Sequence, residues 1–240
     1  MKEILTSQEL SNAVKEKREK VKQVIEEELP EEVKVKGTKI KTEIESGIEE
    51  LKNHYYIIVM DLCSSSVILE KLQTAGKIKV WRRLWKKIFN HMTRDFYFSI
   101  RCKPYKFVGD GFIILYRHQF SQDLFTFMQK LNSLSCQILK EVLDKFEIKP
   151  KRFGFAYGID RGELIKMQLL GNAEFMGEAI NAATRLQAQL KADEDACSLM
   201  VSEKVYNKII LPGNIKQIEK KCILRNLYDD KEILCHQIWL

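Results

Sequence analysis

The chain is 240 residues long, 45% hydrophobic and 30% charged, the composition of an ordinary globular domain and not of a disordered or collagen-like chain. No window approaches the roughly 18 uninterrupted apolar residues that a membrane-spanning helix requires, and Met1-Lys2-Glu3-Ile4 lacks the basic and apolar regions of a secretion signal. The six cysteines form no Cys-x-x-Cys pair, which suits reduced thiols in a cytosol better than a disulfide frame or a zinc site.

In chain order, Ser7 to Leu29 is rich in Lys, Glu and Gln over a thin apolar pattern and is stopped by Pro30, which reads as a capped, exposed helix. Residues 31–50 are highly charged and read as a linker with a short second helix. Together residues 1–50 form an N-terminal helical extension on a single domain over residues 51–240. Tyr55-Tyr56-Ile57-Ile58-Val59-Met60 is an apolar, β-branched and aromatic run, the pattern of a strand buried on both faces. A long helix is expected from about Ser65 to Thr93.

The net charge of +7 first suggests nucleic acid. However, residues 71–94 alone carry eight bases (Lys71, Lys77, Lys79, Arg82, Arg83, Lys86, Lys87, Arg94) and no acid, so the surplus is local. Val80, Leu84, Ile88 and Met92 recur every four residues there, as they do on a helix with one solvated basic face. Such a face can equally attract a polyanionic ligand.

Phe96–Phe107 and Gly111–Tyr116 read as two strands joined at Gly109-Asp110-Gly111, an Asp-Gly turn between apolar runs. Ser121–Phe146 carries Leu124, Met128, Leu131, Ile138, Val142 and Phe146, a second amphipathic helix. Arg152–Asp160 and Leu164–Leu170 are two further strands, followed by a helix at about Gly177–Lys191. Lys216–Leu224 and Glu232–Trp239 close the chain as strands. Strand, helix, hairpin, helix, strand is the βαββαβ order of an α+β, ferredoxin-like sheet with helices on one face.

Two carboxylates stand out in that frame. Asp61 ends a strand that otherwise contains no charge, where an ionised group is costly unless compensated. Asp110 sits in the hairpin turn. Taken singly, a helix cap explains the first and a turn preference the second. In a βαββαβ sheet, though, the first and third strands are central neighbours, so the two carboxylates meet at one edge and repel unless a cation lies between them. Hard oxygen ligands favour magnesium or manganese, which commonly complete their shell with phosphate oxygens. A third element is Gly177–Leu186, where Asn181 and Arg185 stand four apart and project from one helix face. An amide and a guanidinium so placed can hold a sugar oxygen and stabilise phosphoryl charge, although ordinary surface residues show the same spacing.

The segments Asp61-Leu-Cys-Ser-Ser-Ser, Lys106-Phe-Val-Gly-Asp110-Gly, Tyr157-Gly-Ile-Asp-Arg-Gly162 and Gly177-Glu-Ala-Ile-Asn181-Ala-Ala-Thr-Arg185-Leu resemble class III nucleotidyl cyclases, in order and spacing, over about residues 55–240. The resemblance implies a ferredoxin-like cyclase catalytic domain with two Mg2+ or Mn2+ ions per site, held by Asp61, Asp110 and the backbone of Leu62. It implies that Cys63, Ser64, Ser65 and Ser66 wrap the phosphates, that Asn181 orients the ribose and that Arg185 stabilises the transition state. Arg225, in Leu224-Arg-Asn-Leu227, stands where the family often has a phosphate-contacting lysine. Because that family takes the metal pair from one protomer and the Asn/Arg helix from the other, a homodimer with two sites is implied. No histidine lies in any of these motifs, so no protein general base is expected.

Lys106 and Glu174 occupy the family's two base-reading positions. Lys106 is familiar from adenylate cyclases, whereas Glu174 is one methylene longer than the usual aspartate. The Tyr105-Lys106-Phe107 context and the lack of sensor domains resemble the bacterial Pycsar cyclases, which implies cyclic UMP, or next cyclic CMP, as an antiphage signal read by a separate effector. A bulky Tyr105 could exclude two-ring purines, and it could equally be an ordinary strand aromatic. Three other readings stay open: an adenylate cyclase, a non-catalytic nucleotide-binding module, and another two-metal palm enzyme. The first retains all the motifs, the second ought to have lost one of the four site residues, and the third lacks its Gly-Gly-Asp/Glu-Glu-Phe signature here. An RNA-binding sheet would want a Lys/Arg-Gly-Phe motif that the chain does not contain. No membrane or nucleic-acid partner is therefore expected, and a cytoplasmic location is.

Overall fold

The computed structural model describes residues 49–51, 55–169, 172–192 and 196–240. The helix expected at Ser7–Leu29 lies outside them, as does the linker apart from residues 49 and 50, which belong to the short strand Glu49–Leu51. The chain divides into a main unit, Glu50–Ile165 with Phe175–Leu240, and a smaller unit to which Lys166–Glu174 belong.

The elements, in order, are β1 (Tyr55–Leu62), α1 (Ser65–Thr74), α2 (Ile78–Arg94), β2 (Cys102–Phe107), β3 (Gly111–Arg117), α3 (Leu124–Lys145), β4 (Phe155–Arg161), β5 (Leu164–Leu169), β6 (Asn172–Met176), α4 (Glu178–Ala192), β7 (Ser198–Ser202), β8 (Gln217–Ile223) and β9 (Glu232–Trp239). Seven of the strands form one sheet in the order β2-β3-β1-β4-β7-β9-β8. Its first four strands are the expected ferredoxin-like core, with β1 antiparallel to both β3 and β4. β7 adds to β4 in parallel, and β9 and β8 continue antiparallel. β7 and β6 are strands that the hydrophobic pattern alone did not announce, being only five residues each.

Three expectations are corrected. The run read as one helix is two, because α1 closes with paired bonds from Gly76 N to the Gln73 carbonyl (2.8 Å) and from Lys77 N to the Leu72 carbonyl (2.7 Å), the arrangement that terminates a helix. The strand expected from Phe96 starts only at Cys102. Phe96–Ser99 is a helical turn instead, capped by the Asp95 carboxylate, which accepts from Tyr97 N at 2.8 Å. Finally, the helices do not all lie on one face. Ile68 and Leu72 of α1, Leu84, Trp85, Ile88 and Met92 of α2, and Leu131, Ile138 and Leu139 of α3 pack with Tyr56, Ile58, Met60, Phe155 and Tyr157. Helix α4 joins a second cluster, in which Ala182, Leu186 and Leu190 meet Cys63, Ala156 and Met200. Since side chains alternate along a strand, Ala156 and Gly158 face α4 while Phe155 and Tyr157 face the other helices. Each fully buried Leu, Ile or Phe in these layers contributes roughly 1.5–3 kcal/mol.

Small residues let α4 lie close against the sheet. A Cβ at Gly158 would stand 2.0 Å from the Ala183 carbonyl oxygen and 2.4 Å from Gln187 N. Gly158→Ala therefore has to push backbone away from backbone, and it is expected to lower stability by about 3 kcal/mol, read as a shifted denaturation midpoint. An unchanged midpoint would mean that the helix does not approach the sheet this closely.

Candidate active site

The β1–β3 register brings the two aspartates together. Asp61 lies opposite Gly111, the residue after Asp110, and Leu62 N donates to the Asp110 carbonyl at 3.0 Å. Gly111 makes this approach possible, since a Cβ there would lie 1.9 Å from the Met60 carbonyl oxygen. Asp61 is 7% exposed, and by alternation its side chain is on the α4 side of β1. There the Gln187 amide donates to Asp61 Oδ2 at 3.4 Å. Asp110 is half-buried, and the Ser65 hydroxyl donates to its Oδ2.

Between them the chain turns sharply into α1. Ser64 takes a left-handed φ of 56°, and no side chain caps the helix start. No acidic residue stands in the first turn, so the amides there face an environment suited to an anion. Cys63 N bonds the Gly154 carbonyl at 3.0 Å, and Ser64 Oγ accepts from Arg152 N at 3.2 Å. Cys63 is buried, Ser64 and Ser65 are half-buried and Ser66 is exposed. The loop is thus anchored on the β4 side and open on the other.

Asn181 and Arg185 are both exposed, on the side of α4 turned away from the sheet by buried Ala182, Ala183 and Leu186. Among the described residues no side-chain hydrogen bond or ion pair joins either of them to Asp61 or Asp110 of the same chain. Arg225 is likewise exposed, on the turn after β8, next to Leu224 of the cluster that holds Cys63. Lys106 is exposed on β2 after a bulge at Pro104–Lys106. The Tyr105 hydroxyl accepts from Phe175 N at 2.8 Å, and the two rings meet edge to face at 4.9 Å. Glu174 lies on β6 in the smaller unit.

Gln187 escaped the sequence reading. Its signal was a polar residue within the apolar stripe Ala179, Ala182, Ala183, Leu186 and Leu190, a position that normally carries a buried partner. Ser65 was read only as a phosphate contact, and its bond to Asp110 depends on a juxtaposition of strand and hairpin that local pattern does not show.

A thiol pair lies behind the loop. Cys136 and Cys197 sulfurs are 3.6 Å apart. The hydrogen bond between them lowers the Cys197 thiol to about 6, and together with burial it pushes Cys136 up. Cys197 is thus the more acidic thiol of the pair, and the thiolate is the nucleophile. Peptide mapping after brief iodoacetamide treatment at pH 7.5 is expected to find Cys197 modified first, at a rate that falls only below about pH 6. Uniform labelling of all six cysteines would contradict the arrangement.

No protein-family model matches this sequence, and no curated protein sequence matches it. Solved structures do resemble its fold. The guanylyl cyclase Cya2 superposes with a TM-score of 0.61 at 12% identity, over 80% of this chain and 93% of that one. The adenylyl cyclase CyaB from P. aeruginosa gives 0.61 at 12% identity, over 79% and 95%. An adenylate/guanylate cyclase/hydrolase from Silicibacter pomeroyi gives 0.51 at 16% identity, over 80% and 99%. The fold is thus the one on which these cyclase domains are built.

Proposed function

We propose that the chain is a metal-dependent nucleotide cyclase, active as a homodimer, which converts a nucleoside triphosphate to its 3′,5′-cyclic nucleotide and pyrophosphate. The observation that carries this reading is the juxtaposition of Asp61 and Asp110 across the β1–β3 register, beside the uncapped start of α1. The donor chemistry fits magnesium or manganese. Asp61 and the residue after Asp110 face each other across the register, and their carboxylates offer the hard oxygen donors that these ions take. Asp61, Asp110 and the Leu62 backbone would hold such ions, two per site, which would supply positive charge against the triphosphate.

The protein's own groups do the rest by position. Amides from Ser64 to Ser66 cradle phosphate oxygens, as a helix start does, with the Cys63 amide anchoring the loop on Gly154, and Arg225 reaches the terminal phosphates. Asn181 and Arg185 enter from the second copy, Asn181 fixing the ribose and Arg185 stabilising charge on the reacting phosphoryl group. The ribose 3′ oxygen bonds to the α-phosphorus as the bond to the bridging oxygen of pyrophosphate breaks, and the hydroxyl proton leaves to solvent. Alignment and charge stabilisation supply most of the rate.

For the base we favour a pyrimidine, UTP before CTP, with the product acting as an antiphage signal for a separate effector, as the Pycsar resemblance implies. The support is steric. The Tyr105 ring beside Lys106 is fixed by its bond to Phe175 N and cannot easily swing aside for a purine. The second reading is ATP, favoured by Lys106 itself and by the adenylyl cyclase among the structural neighbours. Incubating the protein with ATP, GTP, CTP and UTP plus manganese, and resolving products by mass, separates these. A cyclic pyrimidine establishes the first reading, cyclic AMP the second, and no cyclic product removes the cyclase assignment.

A further inference from the structure

On the face of the sheet opposite α4, helix α2 and strand β2 leave a cleft of about 350 Å³, within the range of small-ligand sites. Trp85, Phe89, Phe107 and Phe112 line it with Arg82 and Lys86, and Pro104, Tyr105 and Lys106 of β2 complete its wall. The rings form one connected set, with Trp85 5.3 Å from Phe107 and 5.6 Å from Phe112, and Phe89 6.1 Å from Phe112. Yet Phe89 is 42% exposed and Phe107 48%, an apolar concavity that water fills poorly. Trp85 is only 5% exposed, and its indole N–H has no hydrogen-bond partner among the described residues. Buried indoles usually find one.

The charge beside the cleft is one-sided. Lys79, Arg82, Arg83 and Lys86 line an adjoining depression of about 250 Å³, and none of the four is in an ion pair among the described residues. Lys87, on the same helix, does have a carboxylate, Glu141 at 2.7 Å. A solvated basic face explains the cations but neither the recessed rings nor the unpartnered donor.

We propose that this cleft binds a small amphipathic anion, its apolar body on the four rings and its carboxylate, sulfonate or phosphate head on Arg82 and Lys86. Phe107 and Phe112 flank the turn that carries Asp110, which Val108 N closes through a 3.0 Å bond to the Gly111 carbonyl. An occupant therefore stiffens that turn from behind. The cleft shares Tyr105 and Lys106 with the base position proposed above; binding is read without nucleotide and does not need the cyclase reading, whereas its effect on turnover rests on it.

The probe is 8-anilinonaphthalene-1-sulfonate, an aromatic anion that brightens when desolvated, titrated into the full chain without nucleotide. Saturable binding is expected, weakened at least tenfold by Arg82→Gln with Lys86→Gln and by Phe89→Ala, all surface changes whose folding circular dichroism checks. At saturation, hydrogen exchange of the Val108 amide should slow. Affinity unchanged in these variants, or no saturable binding, overturns the proposal. So does sedimentation with phosphatidylglycerol vesicles in the absence of saturable probe binding, which would make the face a membrane-surface contact.

Discussion

Asp61→Asn is expected to reduce cyclic-nucleotide formation by at least about a thousandfold, close to 4 kcal/mol of lost transition-state stabilisation, while leaving the protein folded. The change is isosteric, so packing at the end of β1 is kept and the Gln187 amide still faces a side-chain oxygen. What disappears is the charge, at a position only 7% exposed. A buried carboxylate that served structure alone would show its loss chiefly in stability, because breaking a buried charge pair typically costs about 3–5 kcal/mol. The functional reading expects the reverse split, with a melting temperature within a few degrees of wild type and turnover gone. Initial rates with manganese, measured beside thermal melts, read both quantities from one preparation. Turnover within tenfold of wild type would remove Asp61 from the metal site, and a large drop in melting temperature would make it a structural charge.

The contrast between Asp61 and the rest of the site shows which parts of this molecule are local. The strand run ending in Asp61 and the Asp-Gly turn at Asp110 are written in adjacent residues, and the βαββαβ order then fixes that they meet. Registers of Asp61 to Gly111 and of Asp61 to Ala156 follow from that order. Helix α4 was equally legible as a helix, but its side of the sheet was not. That choice depends on Gly158 and Ala156 flattening one face, a cross-chain fit that no single window contains. The break at Gly76 was hidden because the apolar period resumes almost in phase at Val80, so the pattern runs through a gap that the hydrogen bonds do not. Phe96–Ser99 carries a strand-like pattern because its three aromatic residues outweigh the one capping carboxylate before them. Gln187 and the Ser65–Asp110 bond were invisible for the same reason as the α4 placement, since each partner is supplied by a distant part of the chain.

Asn181 and Arg185 give the sharper test, because they lie on the exposed side of α4 and no side-chain bond ties them to the aspartates of their own chain. If a second copy supplies them, each site of the dimer needs one intact aspartate pair and one intact helix face from opposite protomers. Asp61→Asn and Arg185→Ala should then each be inactive as pure proteins. Mixed in equal amounts and allowed to exchange subunits, about half of the dimers become heterodimers in which one site carries both lesions and the other neither. Activity should rise from background to about a quarter of the wild-type value. An arginine acting within its own chain gives no such recovery, since every site in the mixture would still be damaged. Stabilisation of phosphoryl charge by a guanidinium is worth about a hundredfold to a thousandfold, so the background is low enough for the recovered signal to be unambiguous. Recovery also requires that the exposed face of α4, which has no partner in one chain, be covered in two. Crosslinking the mixture would show the heterodimer directly, and a heterodimer without recovered activity would place Arg185 outside the site.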